Sequence, residues 1–211
     1  GEKGSVVRLR LLPESDGPSR VVTLVRNKIK LEDQAAKKSI IEGLGGMGPG
    51  RIGVIDVPAF YRDFRGQSRG DKDFRSTTRD VRKLLQELVQ EGVDGIVVDL
   101  RGNGGGSLIE ATELTGLFIP SGPVVQVRGA SGEVEVEQDP DPKVVYDGPL
   151  AVLVDRNSAS ASEIFAGAIQ DYRRGIIIGE PTFGKGTVQT LVDLGRFVRG
   201  GDDKLGRLRL T

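Results

Sequence analysis

Twice in this chain a short apolar run leads into a loop of small residues and then into a segment of helical period, and this order limits the fold more than any other feature. Gly95-Ile96-Val97-Val98-Asp99-Leu100 is almost wholly apolar, the pattern of a central strand covered on both faces. The glycine loop Arg101–Gly106 follows, and then a helix opened by Ser107 and Glu110 at capping-box spacing and stopped before Pro120, which lacks the amide a helix needs. Leu150–Asp155, the serine segment Asn157–Glu163 and a helix over Glu163–Tyr172 repeat the order, with Ile164, Phe165, Ala168, Ile169 and Tyr172 as the stripe to be buried. Ahead of the first strand, Val81, Leu84, Leu85 and Leu88 recur at helical spacing, with Thr77 and Asp80 as a capping box and Gly92 closing the helix. Helix feeding strand in this way predicts an α/β core.

The flanks read differently. Val6–Leu12 and Arg20–Arg26 are extended runs joined by a turn-rich Pro13–Pro18; a lone hairpin is marginal in water, so a larger β module is expected upstream. After the polar stretch Lys28–Lys38, Arg51–Val57 reads as a strand ended by Pro58, and Asp63–Asp73 as a charged, glycine-rich mobile loop. Thr187–Val192 is β-branched and strand-like, and the chain closes on the alternating Leu208–Thr211 with no capping element, as expected of a fragment. No signal peptide and no run of about 18 apolar residues is present to span a membrane.

Residue chemistry narrows the function. None of the 211 residues is His or Cys, which excludes a Ser-His-Asp triad, a Cys-His dyad and any His or Cys metal site. With 30 basic and 30 acidic side chains, nothing calls for nucleic acid or an anionic membrane as partner, and no cofactor is expected. Hydrolysis would then need a lysine to activate a serine. Lys185, between Gly184 and Gly186, sits at a tight turn where desolvation can lower an ammonium pKa from about 10.4 by several units. Gln189 can hold the neutral amine. Asp171, near the end of the serine helix, orients a loop or is a surface carboxylate.

Ser160 and Glu163 have capping-box spacing, so Ser160 can be a simple helix cap. Three serines alternating with alanines exceed what one cap requires, however, and amides at a helix start can stabilise an oxyanion. Ala161 N–H with an amide of Gly105 or Gly106 is the expected oxyanion hole. Gly179–Lys185 also fits a phosphate-loop pattern, but Gly186 stands where Ser or Thr must hold magnesium, and a strand-like run follows instead of a helix. The Gly102–Gly106 loop lacks the ordered dinucleotide spacing.

Asp99–Gly106, Gly116–Pro120, Val154–Phe165 and Gly179–Gln189 together resemble the tail-specific, or C-terminal processing, serine proteases of the Prc/Tsp and CtpA-like kind. That resemblance implies a Ser-Lys dyad with Ser160 as nucleophile and Lys185 as base, Gln189 in support, and a functionally important aspartate of one branch at Asp171. It implies a crotonase- or ClpP-like α/β core over residues 31–211, cut short at its carboxyl side, and a PDZ remnant over residues 1–30. It further implies polypeptide substrates with apolar C-terminal tails, a bacterial periplasmic or envelope location, and oligomer contacts through exposed strand edges. Incomplete flanks imply an impaired site. A noncatalytic peptide-binding fragment and, more remotely, a crotonase-type acyl-CoA enzyme are the alternatives.

Overall fold

The computed structural model describes residues 3–13, 17–27, 35–43, 50–197 and 206–210, and the chain divides into two compact units, Gly1–Gln34 and Ala35–Thr211. In the first, β1 (Val6–Leu11) and β2 (Arg20–Val25) pair antiparallel with Val6 opposite Val25 and Leu11 opposite Arg20. Most of both strands is exposed, as expected of a ribbon too thin to enclose a core.

Along the second unit run β3 (Lys37–Glu42), β4 (Arg51–Asp56), α1 (Phe64–Ser68), α2 (Thr77–Gln90), β5 (Gly95–Asp99), α3 (Leu108–Gly116), β6 (Val125–Arg128), β7 (Val134–Glu137), β8 (Leu150–Val154), α4 (Ala161–Asp171), β9 (Ile176–Gly179), β10 (Thr190–Asp193) and β11 (Arg207–Leu210). The central sheet has the order β3-β4-β5-β8-β9, parallel except for β3 at one edge. Its mixed α/β architecture follows the predicted strand, loop and helix repeats. Each parallel step moves one place in the same direction, and right-handed crossovers then put α2, α3 and α4 on one face.

Burial alternates accordingly: Ile55, Ile96, Val98 and Val152 are buried, whereas Val54, Val97, Ala151 and Leu153 are only partly so. The expectation of a strand covered on both faces is therefore corrected for the described residues, which supply one helical layer. Phe118 centres that layer, its ring 5.7 Å from Phe165 and 6.5 Å from Tyr146 in edge-to-face arrangements.

Several local readings change. The cap of α2 is Ser76, whose side chain accepts from Arg79 N, and Thr77 is the first helical residue. Ser107 does cap α3, but the Glu110 carboxylate leaves that helix end: it is fully buried and takes Ser76 Oγ at 2.9 Å, Thr78 N at 2.7 Å and the Arg62 guanidinium at 2.9 Å. A buried charge is held only when so surrounded by donors. Asp63–Asp73 contains α1, with Asp63 accepting Gly66 N at 3.0 Å, so it is not a plain loop. Tyr172 is 40% exposed and falls outside the buried stripe of α4. β10 begins at Thr190, leaving Thr187–Gln189 irregular, so only the last part of the expected Thr187–Val192 strand forms. β3 had no counterpart in the sequence reading, since a strand with lysines at its start merges with the polar stretch before it.

Candidate active site

The turn from β8 into α4 carries the three serines, and their surroundings separate them. Ser158 is fully buried, donating to Leu100 O at 2.8 Å and accepting Asp155 N at 2.9 Å. Ser162 is equally buried and donates to Asn103 O at 2.9 Å. These two fasten the turn, while Ser160 between them is partly exposed and faces a cleft. Its backbone, at φ 57° and ψ −113°, has the shape of the first central position of a type II′ turn, which glycine normally fills. Glu163 reaches back to the Ser160 N–H at 2.7 Å, so the carboxylate half of the predicted capping box is formed on an unusual cap conformation.

Against this turn lies the glycine loop. Phe60 bridges Gly106 in parallel fashion, its N–H donating to Gly105 O at 3.1 Å and its carbonyl accepting Ser107 N at 2.8 Å. A trans peptide points its N–H opposite to its carbonyl, so the Gly106 N–H is turned away from Phe60. The Gly105 N–H donates to Asn103 Oδ1 at 2.8 Å and is occupied. A methyl group on Gly105, at φ 98°, would stand 2.6 Å from Ala159 O and 2.8 Å from Ser160 Cβ, which shows how closely the two loops meet. Asp155 joins them as well, accepting Gly102 N and Asn157 N at 2.9 Å each, and the bond from Gly102 leads the causes that hold its carboxyl below the usual range.

The lysine loop is fixed through Glu163. Its carboxylate accepts Thr182 Oγ1 at 2.8 Å, Gly184 N at 2.6 Å and Lys185 N at 2.9 Å, besides the Ser160 amide. Desolvation is the largest single influence on this group and raises its pKa, yet the four hydrogen bonds together outweigh it and leave the carboxyl below its ordinary value. Phe183 N adds a bond to Ser158 O at 3.0 Å. The result is an open cleft of about 500 Å³ where Ser160, Ala161, Lys185 and Gln189 meet Gly105 and Gly106, with Leu108, Ile164 and Val188 as apolar lining. Lys185 and Gln189 are exposed.

Six of the seven residues singled out in the sequence thus share one cleft. Asp171 does not: it is at the far end of α4, roughly 16 Å along the axis from Ser160, exposed, beside a separate depression with Pro123, Val124, Ala168 and Tyr172. Sequence reading saw Glu163 only as a cap and overlooked Thr182 and Asn103. An Asn alone among glycines was the available signal for the last, since a polar side chain there is the one group able to restrain the loop. Among the described residues no helix is long and apolar enough to cross a membrane.

Comparison with known proteins identifies the family. Residues 51–207 match peptidase family S41. The chain is 48% identical over 211 residues to the tail-specific protease of Haemophilus influenzae, covering 100% of this chain and 28% of that protein. It is 33% identical over 195 residues to the carboxyl-terminal-processing protease of Synechocystis, covering 92% of this chain and 41% of that one. The photosystem II D1 C-terminal processing protease superposes with a TM-score of 0.67 at 30% identity, over 93% of this chain and 49% of that chain. The chain spans well under half the length of the two sequence relatives, and on these matches it belongs to peptidase family S41.

Proposed function

We propose that this chain forms the core of a tail-specific serine endopeptidase in which Ser160 is the nucleophile and Lys185 the general base. The observation that carries the reading is the single cleft lined by Ser160, Lys185 and the glycine loop, in a chain without histidine or cysteine. Neutral Lys185 takes the Ser160 hydroxyl proton as Oγ attacks the peptide carbonyl; the resulting ammonium returns that proton to the leaving amine, and water then hydrolyses the acyl-enzyme. Ala161 N–H and Gly106 N–H stabilise the oxyanion, in preference to Gly105, whose amide is committed to Asn103. Gln189 holds the neutral amine. Because Lys185 is exposed, the desolvation it needs comes from the substrate strand laid over it. Leu108, Ile164 and Val188 suit an apolar side chain near the scissile bond, in keeping with apolar substrate tails.

The remaining assignments rest on family resemblance. The core is crotonase- or ClpP-like, the β1–β2 ribbon is the end of a PDZ domain that selects tails, β9, an edge strand of the sheet among the described residues, is available for association, and the protein works in the periplasm or cell envelope. Asp171 acts on an adjoining segment and not on the reacting atoms, given its place at the far end of α4. The exposure of Lys185 favours one second reading, a noncatalytic peptide-binding fragment.

A serine-directed fluorophosphonate applied to the full-length parent, to this fragment and to Ser160→Ala and Lys185→Ala variants separates the two. Labelling at Ser160 that needs Lys185, with matching peptide cleavage, is expected of the parent. Normal cleavage by either variant refutes the dyad. Equal cleavage of substrates with free and amidated carboxyl termini removes tail recognition.

A further inference from the structure

Asn103 belongs to a glycine-rich loop, yet it is fully buried. Each of its polar groups has a partner: Nδ2 donates to Val57 O at 2.6 Å, Oδ1 accepts Gly105 N at 2.8 Å, and its backbone N–H donates to Leu100 O at 3.1 Å. Its own carbonyl accepts Ala159 N at 3.0 Å and Ser162 Oγ at 2.9 Å. One residue therefore joins the exit of β4, the glycine loop and the serine turn.

We propose that Asn103 is the positioning residue that aligns the two amides of the oxyanion hole. The inference rests on the Ser160–Lys185 reading and extends it to a side chain that does not line the cleft. By holding the Gly105 N–H inward, Asn103 sets the peptide plane before Gly105. The bond from Phe60 sets the next plane, and together they aim the Gly106 N–H away from Phe60. By accepting Ala159 N and Ser162 Oγ, the Asn103 carbonyl holds the turn that carries the Ala161 N–H. Oxyanion donors act only when they are aligned before charge develops. Gly105 at φ 98° and Gly106 at φ 151° occupy backbone regions that restrain nothing by themselves, so hydrogen bonds supply the restraint, the Phe60 backbone on one peptide plane and the buried Asn103 side chain on the one before it. A displacement of about 1 Å at such a site costs about 100-fold in rate.

A buried Asn that merely fills the core would lower stability when replaced without favouring the transition state over the ground state, and the test exploits that difference. Asn103→Ala and Asn103→Ser are made in the full-length parent, and kcat, KM and the affinity of a peptidyl boronic acid are measured. Ser160 Oγ adds to the trigonal boron as its hydroxyl proton passes to Lys185, no boron substituent leaves, and a boron-bound hydroxyl takes the oxyanion position. The expected result for Asn103→Ala is a kcat about 100-fold lower, an equally weakened boronate and a nearly unchanged KM, with Asn103→Ser between it and wild type. A folded Asn103→Ala variant with wild-type kcat and boronate affinity overturns the proposal, as does one whose KM alone changes. Amide hydrogen exchange in the unmodified parent tests it without relying on the variants: Gly105 N–H should be protected and Gly106 N–H should gain protection only when the boronate binds. Gly105 exchanging as fast as Gly106 overturns it. If the parent instead shows no cleavage dependent on Ser160 and Lys185, the peptidase reading itself fails, and the Ser160→Ala and Lys185→Ala controls reveal that separately.

Discussion

Glu163 Oε2 accepts the backbone N–H of Lys185 at 2.9 Å, joining residues 22 positions apart so that the helix bearing the serine holds the loop bearing the lysine. The same carboxylate also receives Ser160, Thr182 and Gly184, so the relative placement of Lys185 and Ser160, the proposed base and nucleophile, passes through one side chain.

Replacing that side chain should therefore loosen the lysine loop, which still keeps its Phe183–Ser158 bond, and impair catalysis. In the full-length parent, Glu163→Ala should lower kcat/KM by about 100-fold, the scale of a small misplacement. Glu163→Gln should fall between it and wild type, because one of its two acceptor oxygens becomes a donor facing N–H groups. Fluorophosphonate labelling rates at Ser160 check this, and wild-type rates in both variants would contradict it.

Acid should release the lysine loop. The Glu163 carboxyl is depressed in the folded protein, so its contribution is fully present above its unfolded pKa of about 4.5 and is lost as pH falls through the lower folded value. Protection factors of the Gly184 and Lys185 amides should be constant above about pH 5 and decline below that range, and Glu163→Gln should abolish the decline. A wild-type profile flat down to the folded pKa would contradict the assignment.

Ser160 holds a backbone shape that costs a residue with a side chain about 1–3 kcal/mol. Ser160→Gly should raise stability by about 1 kcal/mol in urea denaturation, whereas Ser160→Ala, which keeps a Cβ, should give no comparable gain. Both variants should lose labelling. A destabilised glycine variant would show that the backbone shape carries no strain.

The flanking serines should behave in the opposite way. Ser158→Ala and Ser162→Ala strip hydrogen bonds from fully buried partners and should destabilise by about 1–3 kcal/mol. Folded protein from either should still be labelled at Ser160. Loss of labelling in a fully folded Ser158→Ala variant would reopen the choice of nucleophile.

Much of this was legible along the chain because it depends on local order. Val98, Val152, Leu85 and Phe165 fall at strand and helix periods, and their burial in β5, β8, α2 and α4 follows from that periodicity and from the exclusion of apolar area from water. The absence of histidine and cysteine left lysine as the candidate base for a serine, and the serines and glycines at the strand ends located the cleft. Tertiary structure alone determined which partners distant groups would find. Glu110 and Glu163 look alike as capping-box acids three positions beyond a serine, yet one is drawn into a buried cluster with Arg62 and Ser76 while the other turns back to Ser160 and on to Lys185. Likewise Asn103 acquires Val57 and Ala159, and Asp171 is carried away from Ser160 by the length of its own helix. Periodicity is a property of neighbours in sequence, but a buried polar group is satisfied by whichever donor or acceptor the packed chain brings within reach.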